Sequence, residues 1–465
     1  MIGRVRRQSS LFYAAFGNEA SLIKDDLLDE IDPLLEDEEL LGLVTEALGR
    51  RAPRSRTTGR RGIAPDRLLR CAVLKQIKGW SLRELERELR GSLLYRHFTR
   101  FDHERIPRYS TFSRSFGALG DEVVHAIHAQ IVERARRDGI ARGARLRTDT
   151  TVVESNVHYP ADSTLLQDGV RVLTRAVRRI AEECRPGAVE IVDRTRATKH
   201  RVLEIARAAK TFSEDSRSRL EQSYRGLLAI ARGVLRRAKA VAAEVTTGAV
   251  AIIGDARRVL AGQAEIRHFA PLIGRVIAQT KARIVDGETR TVDKVLSIFE
   301  EHTQVIRKGK AHKPTEFGRL VRIDEVEGGI VSGYDVKEGN PADVLDFVPA
   351  IEKHKHVFGR APHTATADRG FFSGANEKGA RELGVKRVVL PARGRLSAKR
   401  ARLQKERAFR RALRWRGGIE ARIGTLKHRF GMVRQRSKGD RGFKRDVGLA
   451  VIANNLVAIA RRRAA

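Results

Sequence analysis

A change in hydrophobic period at Arg145 most constrains what this chain can fold into. Apolar residues recur at helical spacing before this point, whereas the segment ARLRTDTTVVESNVHYP alternates with the period of two that is typical of a strand. Helical periodicity returns in residues 165–290, and short strand patterns follow in residues 292–337 and 363–390. Strands separated by helices in this way predict an α/β fold.

The charge balance indicates a polyanionic partner. The 465-residue chain has 92 Lys and Arg against 57 Asp and Glu, a formal charge of +35. Nucleic acid is the default partner for such an excess. The sequence shows neither a signal-peptide pattern nor an apolar run long enough for a membrane span, so we expect a cytoplasmic protein with no membrane partner. Cys71 and Cys184 match no metal or redox spacing and are predicted to be reduced core residues.

Residues 1–56 are predicted to form an N-terminal arm with an acidic amphipathic segment. Residues 19–39 contain ten acidic residues against the single Lys24, with leucine and isoleucine at helical spacing. Such a segment in a basic chain either packs against basic surface, of its own chain or of a second copy, or forms a solvated arm. The sequence leaves these alternatives open.

Residues 57–137 are predicted to form a helical DNA-binding domain. Pro65 can start a first helix, Gly79 ends it, and Ser81 with Glu84 forms a capping box for a second helix. Two short helices joined by a glycine-containing turn resemble a helix-turn-helix motif.

The second of these helices supplies candidate DNA contacts. Arg83, Arg87 and Arg90 leave its exposed side positive, as contacts to phosphate require. A third helix is predicted from a cap at Ser110 to about Arg137. A plain three-helix bundle that binds nothing is the alternative.

A basic helical insertion is predicted for residues 165–290. Arg and Lys crowd the polar faces of its helices, and breaks fall at Gly187 and around Gly254. The pattern is typical of an antiparallel hairpin or a small helical bundle. A short strand is predicted at residues 295–299, directly after it.

Three isolated carboxylates are candidate site residues. Asp149 lies within a strand pattern, where Asp is disfavoured, Asp368 ends another predicted strand, and Glu420 lies on a predicted helix. Strand ends and a following helix meet at one edge of an α/β sheet. Converging carboxylates there would hold two divalent ions about 3.5–4 Å apart. Oxygen ligands favour Mg²⁺, with Mn²⁺ as a substitute. A water-facing Asp on an edge strand is the alternative for Asp149.

The helix that carries Glu420 is predicted to span residues 411–436. Arg416, Glu420 and Lys427 project from one side of it. A carboxylate flanked by two cations suits a group that holds a metal ion beside a phosphate. A solvated helix face with ordinary ion pairs is the alternative.

Three motifs resemble those of bacterial insertion-sequence DDE transposases of the ISNCY type. They are Asp149 in TDTTVVESNVHYPADSTLLQDGVRVL, Asp368 in TADRGF, and Glu420 in RGGIEARIGTLKHRFG. Arg416, Glu420 and Lys427 also match the R-x₃-E-x₆-K pattern of related families. The resemblance implies a ribonuclease-H-like core, Asp149, Asp368 and Glu420 as catalytic metal ligands, and DNA contacts from Arg416 and Lys427.

The resemblance also implies how the chain divides. Residues 57–119 are similar to the helical N-terminal domain of such transposases. The catalytic core would comprise residues 138–164 and 291–440, with the helical insertion between its first and second strands. Residues 441–465 are predicted to form a C-terminal helix.

Three further residues bear on the resemblance. Leu413 stands where related families often have Tyr, so any role of that Tyr is absent or moved. Asn156 and His158 could reach DNA or support the metal site, and a structural turn is the alternative for both.

The implied function is Mg²⁺-dependent cleavage and transfer of DNA strands at the terminal inverted repeats of an insertion sequence. We expect a nucleoid-associated protein that acts as a homodimer or higher oligomer on DNA, since two ends must be paired. A tyrosine recombinase is disfavoured because no Tyr follows Tyr334, and the P-loop pattern of an ATPase is absent. A non-catalytic sequence-specific DNA-binding protein and a metal-dependent nuclease without strand transfer remain alternatives.

Overall fold

Two compact units make up the chain, residues 1–156 with 304–465, and residues 157–303. The computed structural model describes residues 1–3, 24–51, 54, 58–59, 61–211, 213–288, 293–307, 314–392 and 394–464. Most of the predicted N-terminal arm before residue 24, and part of the linker before residue 61, therefore lie outside the described residues. Within the described ranges, every helix is too short or too polar to cross a membrane.

Helices fill the first unit up to its first strand. They are α1 (Asp26–Ile31), α2 (Glu38–Arg50), α3 (Pro65–Lys78), α4 (Leu82–Gly91), α5 (Leu93–Phe98), α6 (Tyr109–Phe116) and α7 (Asp121–Arg137). The capping box of α4 is confirmed: Ser81 Oγ accepts from the Glu84 N–H at 3.2 Å, and Glu84 Oε2 accepts from the Ser81 N–H at 2.7 Å. Gly79 ends α3 with a left-handed φ of 68°.

The predicted third helix is wrong in its bounds. The segment is two helices, α6 and α7, because the chain breaks between Gly117 and Gly120, two residues of low helix propensity. Ser110 lies inside α6, and Arg108 takes the N-cap position without a side-chain hydrogen bond. Helix α5 was not predicted.

The described part of the acidic segment packs against basic residues of its own chain. Arg70, only 1% exposed, donates through Nε to Asp32 Oδ1 at 3.0 Å. Arg100 donates to Glu36 Oε1 at 2.9 Å and also bonds to Asp32. The solvated-arm alternative is therefore wrong for these residues, because burial of a guanidinium requires a paired carboxylate.

A mixed sheet forms the centre of the first unit. Its strands are β1 (Arg145–Glu154), β2 (Gln304–Ile306), β3 (Glu316–Glu325), β4 (Val331–Val336), β5 (Thr364–Thr366) and β6 (Arg387–Val389). Strand β3 pairs antiparallel with β1, β2 and β4, whereas β1, β5 and β6 run parallel, in the order β2-β3-β1-β5-β6. Strand β1 is thus a central strand, so the alternative that Asp149 lies on an edge strand is wrong.

The second unit is helical and lies between β1 and β2 along the chain. It contains α8 (Asp162–Ala181), α9 (Thr195–Ala208), α10 (Glu214–Thr246) and α11 (Ala256–Ile284), which share one hydrophobic core. Asp162, with no exposed surface, is paired with Arg283 at 3.1 Å and Lys294 at 3.3 Å.

The predicted strand at residues 295–299 is wrong. Residues 295–298 are buried and Phe299 is exposed, and none of them pairs with a strand of the sheet. Gln279 supplies the missing hydrogen bonds: its Oε1 accepts from the Val295 N–H at 2.9 Å, and its Nε2 donates to the Val295 carbonyl at 3.1 Å. A buried side-chain amide thus satisfies backbone groups that a sheet would otherwise pair.

The chain after β4 returns to helices. They are α12 (Phe347–Phe358), α13 (Gly374–Glu382), α14 (Ala398–Lys405), α15 (Arg407–His428) and α16 (Gly439–Arg463). Ser373 caps α13, as predicted, by accepting from the Asn376 N–H at 3.0 Å. Helix α15 ends eight residues before the predicted Arg436, since Gly431 has a φ of 77°. Helix α16 was predicted to be amphipathic but is buried on most sides, in contact with α3 and α7.

Candidate active site

The two predicted aspartates lie beyond the same end of the β1–β5 pairing, Asp149 in the middle of β1 and Asp368 just after β5. The last paired residues of β1 and β5 are Arg147 and Thr366. Asp149 follows Arg147 by two residues, and Asp368 follows Thr366 by two residues. Neighbouring strands lie about 4.8 Å apart, so both aspartates belong to one edge where strands of an α/β sheet place ligand-binding groups. Both are half-buried.

Backbone hydrogen bonds orient each of these carboxylates. Asp149 Oδ1 accepts from the Thr150 N–H at 2.7 Å. Asp368 Oδ1 accepts from the Gly370 N–H at 2.6 Å, which caps the short 3-10 turn that follows β5. Carboxylates that already accept from backbone N–H groups lose less freedom when they bind a cation.

A third aspartate, which sequence reasoning missed, lies beside Asp368. Thr150 Oγ1 donates to Asp343 Oδ1 at 2.6 Å. A Cβ added to Gly370 would lie 2.9 Å from Asp368 Oδ1 and 3.1 Å from Asp343 Oδ2. Gly370 therefore leaves space in which these two carboxylates approach each other. Asp343 carries no local signal in the sequence, because it begins a short 3-10 turn before α12, and aspartate is common in turns.

Helix α15 lies over the face of the sheet to which Asp149 belongs. Arg147, two residues away on the same face of β1, donates through Nη1 to the Trp415 carbonyl at 2.5 Å. Its guanidinium also lies 4.7 Å from the centre of the Trp415 ring. Trp415 is five residues before Glu420 on α15, so the helix that carries Glu420 is fixed to the strand that carries Asp149.

Glu325 anchors this arrangement and was not found from the sequence. It has no exposed surface and accepts from Arg147, at 2.9 Å from Nε and 2.8 Å from Nη2. It also accepts from Arg422 Nε on α15 at 3.1 Å, and Arg422 donates on to Asn454 of α16 at 2.8 Å. One buried carboxylate thus joins β3, β1 and α15. Its partners are distant in sequence, which is why no pattern revealed it.

Glu420 itself points away from the buried anchor. Its side chain is 67% exposed and pairs with Arg416 at 2.9 Å, as the helical spacing predicted. Lys427 lies on the same helix and is half-buried. Across the described ranges, no three His, Cys, Asp or Glu side chains are close enough to hold a metal ion. The structure therefore places Asp149 and Asp368 beyond the same end of the β1–β5 pairing, and it packs α15 on the face of the sheet to which Asp149 belongs. It does not gather Asp149, Asp368 and Glu420 around one point.

The arginines predicted to contact DNA from α4 are largely paired with neighbours. Arg87 donates to Glu88 at 2.7 Å, and Arg90 pairs with Glu86 at 2.6 Å. Arg83 lies 4.5 Å from the centre of the Tyr109 ring. The exposed side of α4 is therefore not the uniformly positive surface that the sequence predicted, because glutamates interleave with the arginines.

The structure also shows the surroundings of His158 and Asn156, the two polar residues after β1 that were considered for DNA contact. His158 Nε2 lies 3.2 Å from Thr164 Oγ1 and 3.7 Å from Asp168 Oδ2, so its described contacts are structural. Asn156 is the last residue of this stretch of the first unit and is exposed.

Comparison with protein-family models gives two matches. Residues 18–117 match the model described as "Transposase domain (DUF772)", and residues 280–456 match the model described as "Transposase DDE domain". The chain belongs to the insertion-sequence DDE transposases. Searches of curated proteins and of solved structures returned no match.

Family membership bears on the fold as well as on the site. The DDE domain implies a ribonuclease-H-like fold, which confirms the predicted type of catalytic core for this transposase. Asp368 and Glu420 lie within the matched residues 280–456, whereas Asp149 lies outside them, on β1. The helical second unit separates β1 from the rest of its sheet along the chain, so the match to the DDE domain begins only after most of that unit.

Proposed function

We propose that this transposase cuts and joins DNA at the terminal inverted repeats of its insertion sequence, in a Mg²⁺-dependent reaction. Asp149, Asp368 and Glu420 would be its catalytic carboxylates. The observation that carries the proposal is the matched register of β1 and β5, which puts Asp149 and Asp368 two residues beyond the same strand pair. Helix α15, which carries Glu420, is fixed to β1 through Arg147 and supports the inclusion of Glu420.

The donor set fits a hard divalent ion. All three side chains offer carboxylate oxygens, the ligands that Mg²⁺ prefers, and Mn²⁺ could replace it. Bound ions would supply Lewis-acid stabilisation of the phosphoryl oxygens. To bind a metal ion, Glu420 would give up its ion pair with Arg416, and its exposure leaves the side chain room to turn. The Arg416 guanidinium would then be available to a DNA phosphate.

The same side of α15 offers a second cation. Lys427 follows Glu420 by two helical turns and would contact phosphate near the cut. Two element ends must be held together for transfer, so we propose a homodimer or higher oligomer on DNA, associated with the nucleoid. The ISNCY type remains a prediction from the sequence motifs.

Cleavage of a DNA fragment that carries the element's own ends tests the proposal. Wild-type protein should cut at the end junctions with Mg²⁺ and not with EDTA. Glu420→Gln, Asp149→Asn and Asp368→Asn should each bind the fragment but fail to cut it. Glu382→Gln, an exposed carboxylate on α13 paired with Lys378, is the matched control and should cut normally.

The outcomes separate the remaining alternatives. Tight binding by wild-type protein with no cutting under any divalent ion would support a DNA-binding protein without catalysis, which the exposed position of Glu420 would then explain. Cutting without joining to a target duplex would support a nuclease. Normal cutting by any one of the three carboxylate variants would remove that residue from the site.

A further inference from the structure

We propose that the transposase contacts double-stranded DNA through the exposed face of α6, and that the cationic segment leading from α15 into the first turn of α16 continues this surface toward Asp149 and Asp368. The α6 face consists of Arg108, Tyr109, Ser110, Ser113 and Arg114. The cationic segment is residues 434–441. The inference rests on the proposed function, because it takes DNA as the partner, and it moves the contact surface away from α4.

The charge of α6 distinguishes it from α4. Residues 105–120, RIPRYSTFSRSFGALG, contain three arginines and no acidic residue. Helix α4, LRELERELRG, has three arginines and three glutamates, and two of its arginines are already paired. Because DNA phosphates repel carboxylates, the acid-free helix is the better partner for the duplex.

The shape of α6 also suits close approach to DNA. Ser110, Ser113, Arg114 and Gly117 follow the helical spacing and are all exposed, whereas Phe112 and Phe116 anchor the opposite side in the core. Small side chains let the helix backbone come near the groove. Serine hydroxyls can bond to phosphates or bases, and an arginine can pair with guanine.

Helix α4 serves to hold α6 in place. Glu86 Oε2 accepts from the Tyr109 N–H at 2.6 Å, at the first residue of α6. The Arg83 guanidinium stacks on the Tyr109 ring at 4.5 Å. These contacts explain why α4 carries both signs of charge: its glutamates and arginines orient the neighbouring helix and each other.

The cationic segment is fixed beside α6. Its first residue, Arg434, pairs with Glu154 at 2.7 Å, and the Gln435 N–H donates to the Glu154 carbonyl at 2.9 Å. Arg436 lies 3.9 Å from Glu84 at the start of α4. Just beyond the segment, Arg445 donates to the Phe116 carbonyl, at the end of α6, at 3.3 Å.

These contacts connect the α6 face to β1, the strand that carries Asp149. The segment holds four exposed cations, Arg434, Arg436, Lys438 and Arg441. Glu154, which binds its first residue, lies five residues after Asp149 on β1. A duplex on α6 that follows these cations would therefore run toward the part of the sheet near Asp149 and Asp368.

Fluorescence anisotropy with the full-length protein tests the proposal. The probes are a labelled duplex that carries one element end and a scrambled duplex of the same length, each titrated at several salt concentrations. Arg108→Glu/Arg114→Glu changes the α6 face, and Arg436→Glu/Arg441→Glu changes the cationic segment. Arg87→Glu/Arg90→Glu tests α4 with the same change in charge, and Arg136→Glu/Arg137→Glu on α7 is the control. Tryptophan fluorescence checks that each variant is folded.

We expect the first two variants to bind the end duplex at least about tenfold more weakly than wild type. Their salt slopes should fall by about 2, since each loses two phosphate contacts. The α6 variant should also lose discrimination between the end and scrambled duplexes, whereas the α4 variant and the control stay near wild type.

Two different failures are distinguishable. If wild-type protein binds neither duplex, the proposed function itself is wrong. If wild type binds with a steep salt dependence but the α6 variant behaves as the α7 control does, the α6 surface is wrong while the proposed function stands. If only Arg87→Glu/Arg90→Glu weakens DNA binding, α4 and not α6 contacts the DNA.

Discussion

Glu325→Gln should loosen the attachment of α15 to the sheet. The carboxylate has no exposed surface and receives hydrogen bonds from both Arg147 and Arg422. Glutamine keeps the size of the side chain and one acceptor oxygen, but it removes the charge that both guanidinium groups require. Breaking a buried ion pair from one side costs about 3–5 kcal/mol, and the retained oxygen places our expectation near the lower end, at about 3 kcal/mol.

Urea unfolding followed by tryptophan fluorescence measures this loss. The two tryptophans, Trp80 and Trp415, both lie in the first unit, so the signal reports the unit that contains Glu325. Glu133→Gln is the matched control. Glu133 receives three hydrogen bonds from Arg136 and Arg137 on the surface of α7, and solvent screening should make its loss much smaller.

The same variant should lower DNA cleavage without abolishing DNA binding. Displacement of a catalytic group by about 1 Å can cost about 100-fold in rate, and α15 carries Glu420. If Glu325→Gln unfolds at the same urea concentration as Glu133→Gln, the buried carboxylate does not hold the helix and the positioning argument is refuted. If Glu325→Gln loses about 3 kcal/mol of stability but cleaves DNA as fast as wild type does, other contacts position Glu420.

Two further predictions concern the same unit. Gly370→Ala should lower Mg²⁺-dependent cleavage by about tenfold or more, because its Cβ would approach the oxygens of Asp368 and Asp343. The control is Gly374→Ala, which should cleave normally because a Cβ there meets no described atom within 4 Å. Burial lowers the pKa of His128 to about 3 and that of His354 to about 4, from 6.5. The unfolded chain thus binds more protons below about pH 6.5, so stability is complete above that pH and falls as the pH decreases toward the folded-state values. Between about pH 7.5 and 5.5 we expect a loss of about 1 kcal/mol per histidine in urea unfolding. Substitution of either histidine by Gln should remove the part of the stability loss that this histidine contributes. An unchanged pH dependence of stability in the variant would show that the histidine is not its source.

Local signals in the sequence determined several helix ends correctly. The capping box of Ser81 and Glu84, and the cap of α13 by Ser373, depend on residues within one helical turn. The prediction failed where it passed over local glycines. Gly117 and Gly120 divide α6 from α7, and Gly431 follows the end of α15.

The candidate site was only partly accessible from the sequence. The positions of Asp149 within one strand and of Asp368 after the end of another, and the pairing of Arg416 with Glu420, depend on the strand and helix periods and could be predicted. Glu325 and Asp343 could not, because their partners are joined only when distant strands and helices pack. Glu325 is recognisable only by its burial, and Asp343 only by the hydrogen bond that it receives from Thr150 on a distant strand.

By itself the sequence determined the strong positive charge, the alternation of helices with strands, and the residues that resemble a DDE motif. Tertiary structure decided which strands became neighbours, that β1 is central, and that α16 is buried. It also decided that the acidic residues Asp32 and Glu36 pair with arginines of their own chain. The physical reason is range: capping and periodicity act within a few residues, whereas register, burial and ion pairing depend on segments that meet only in the folded chain.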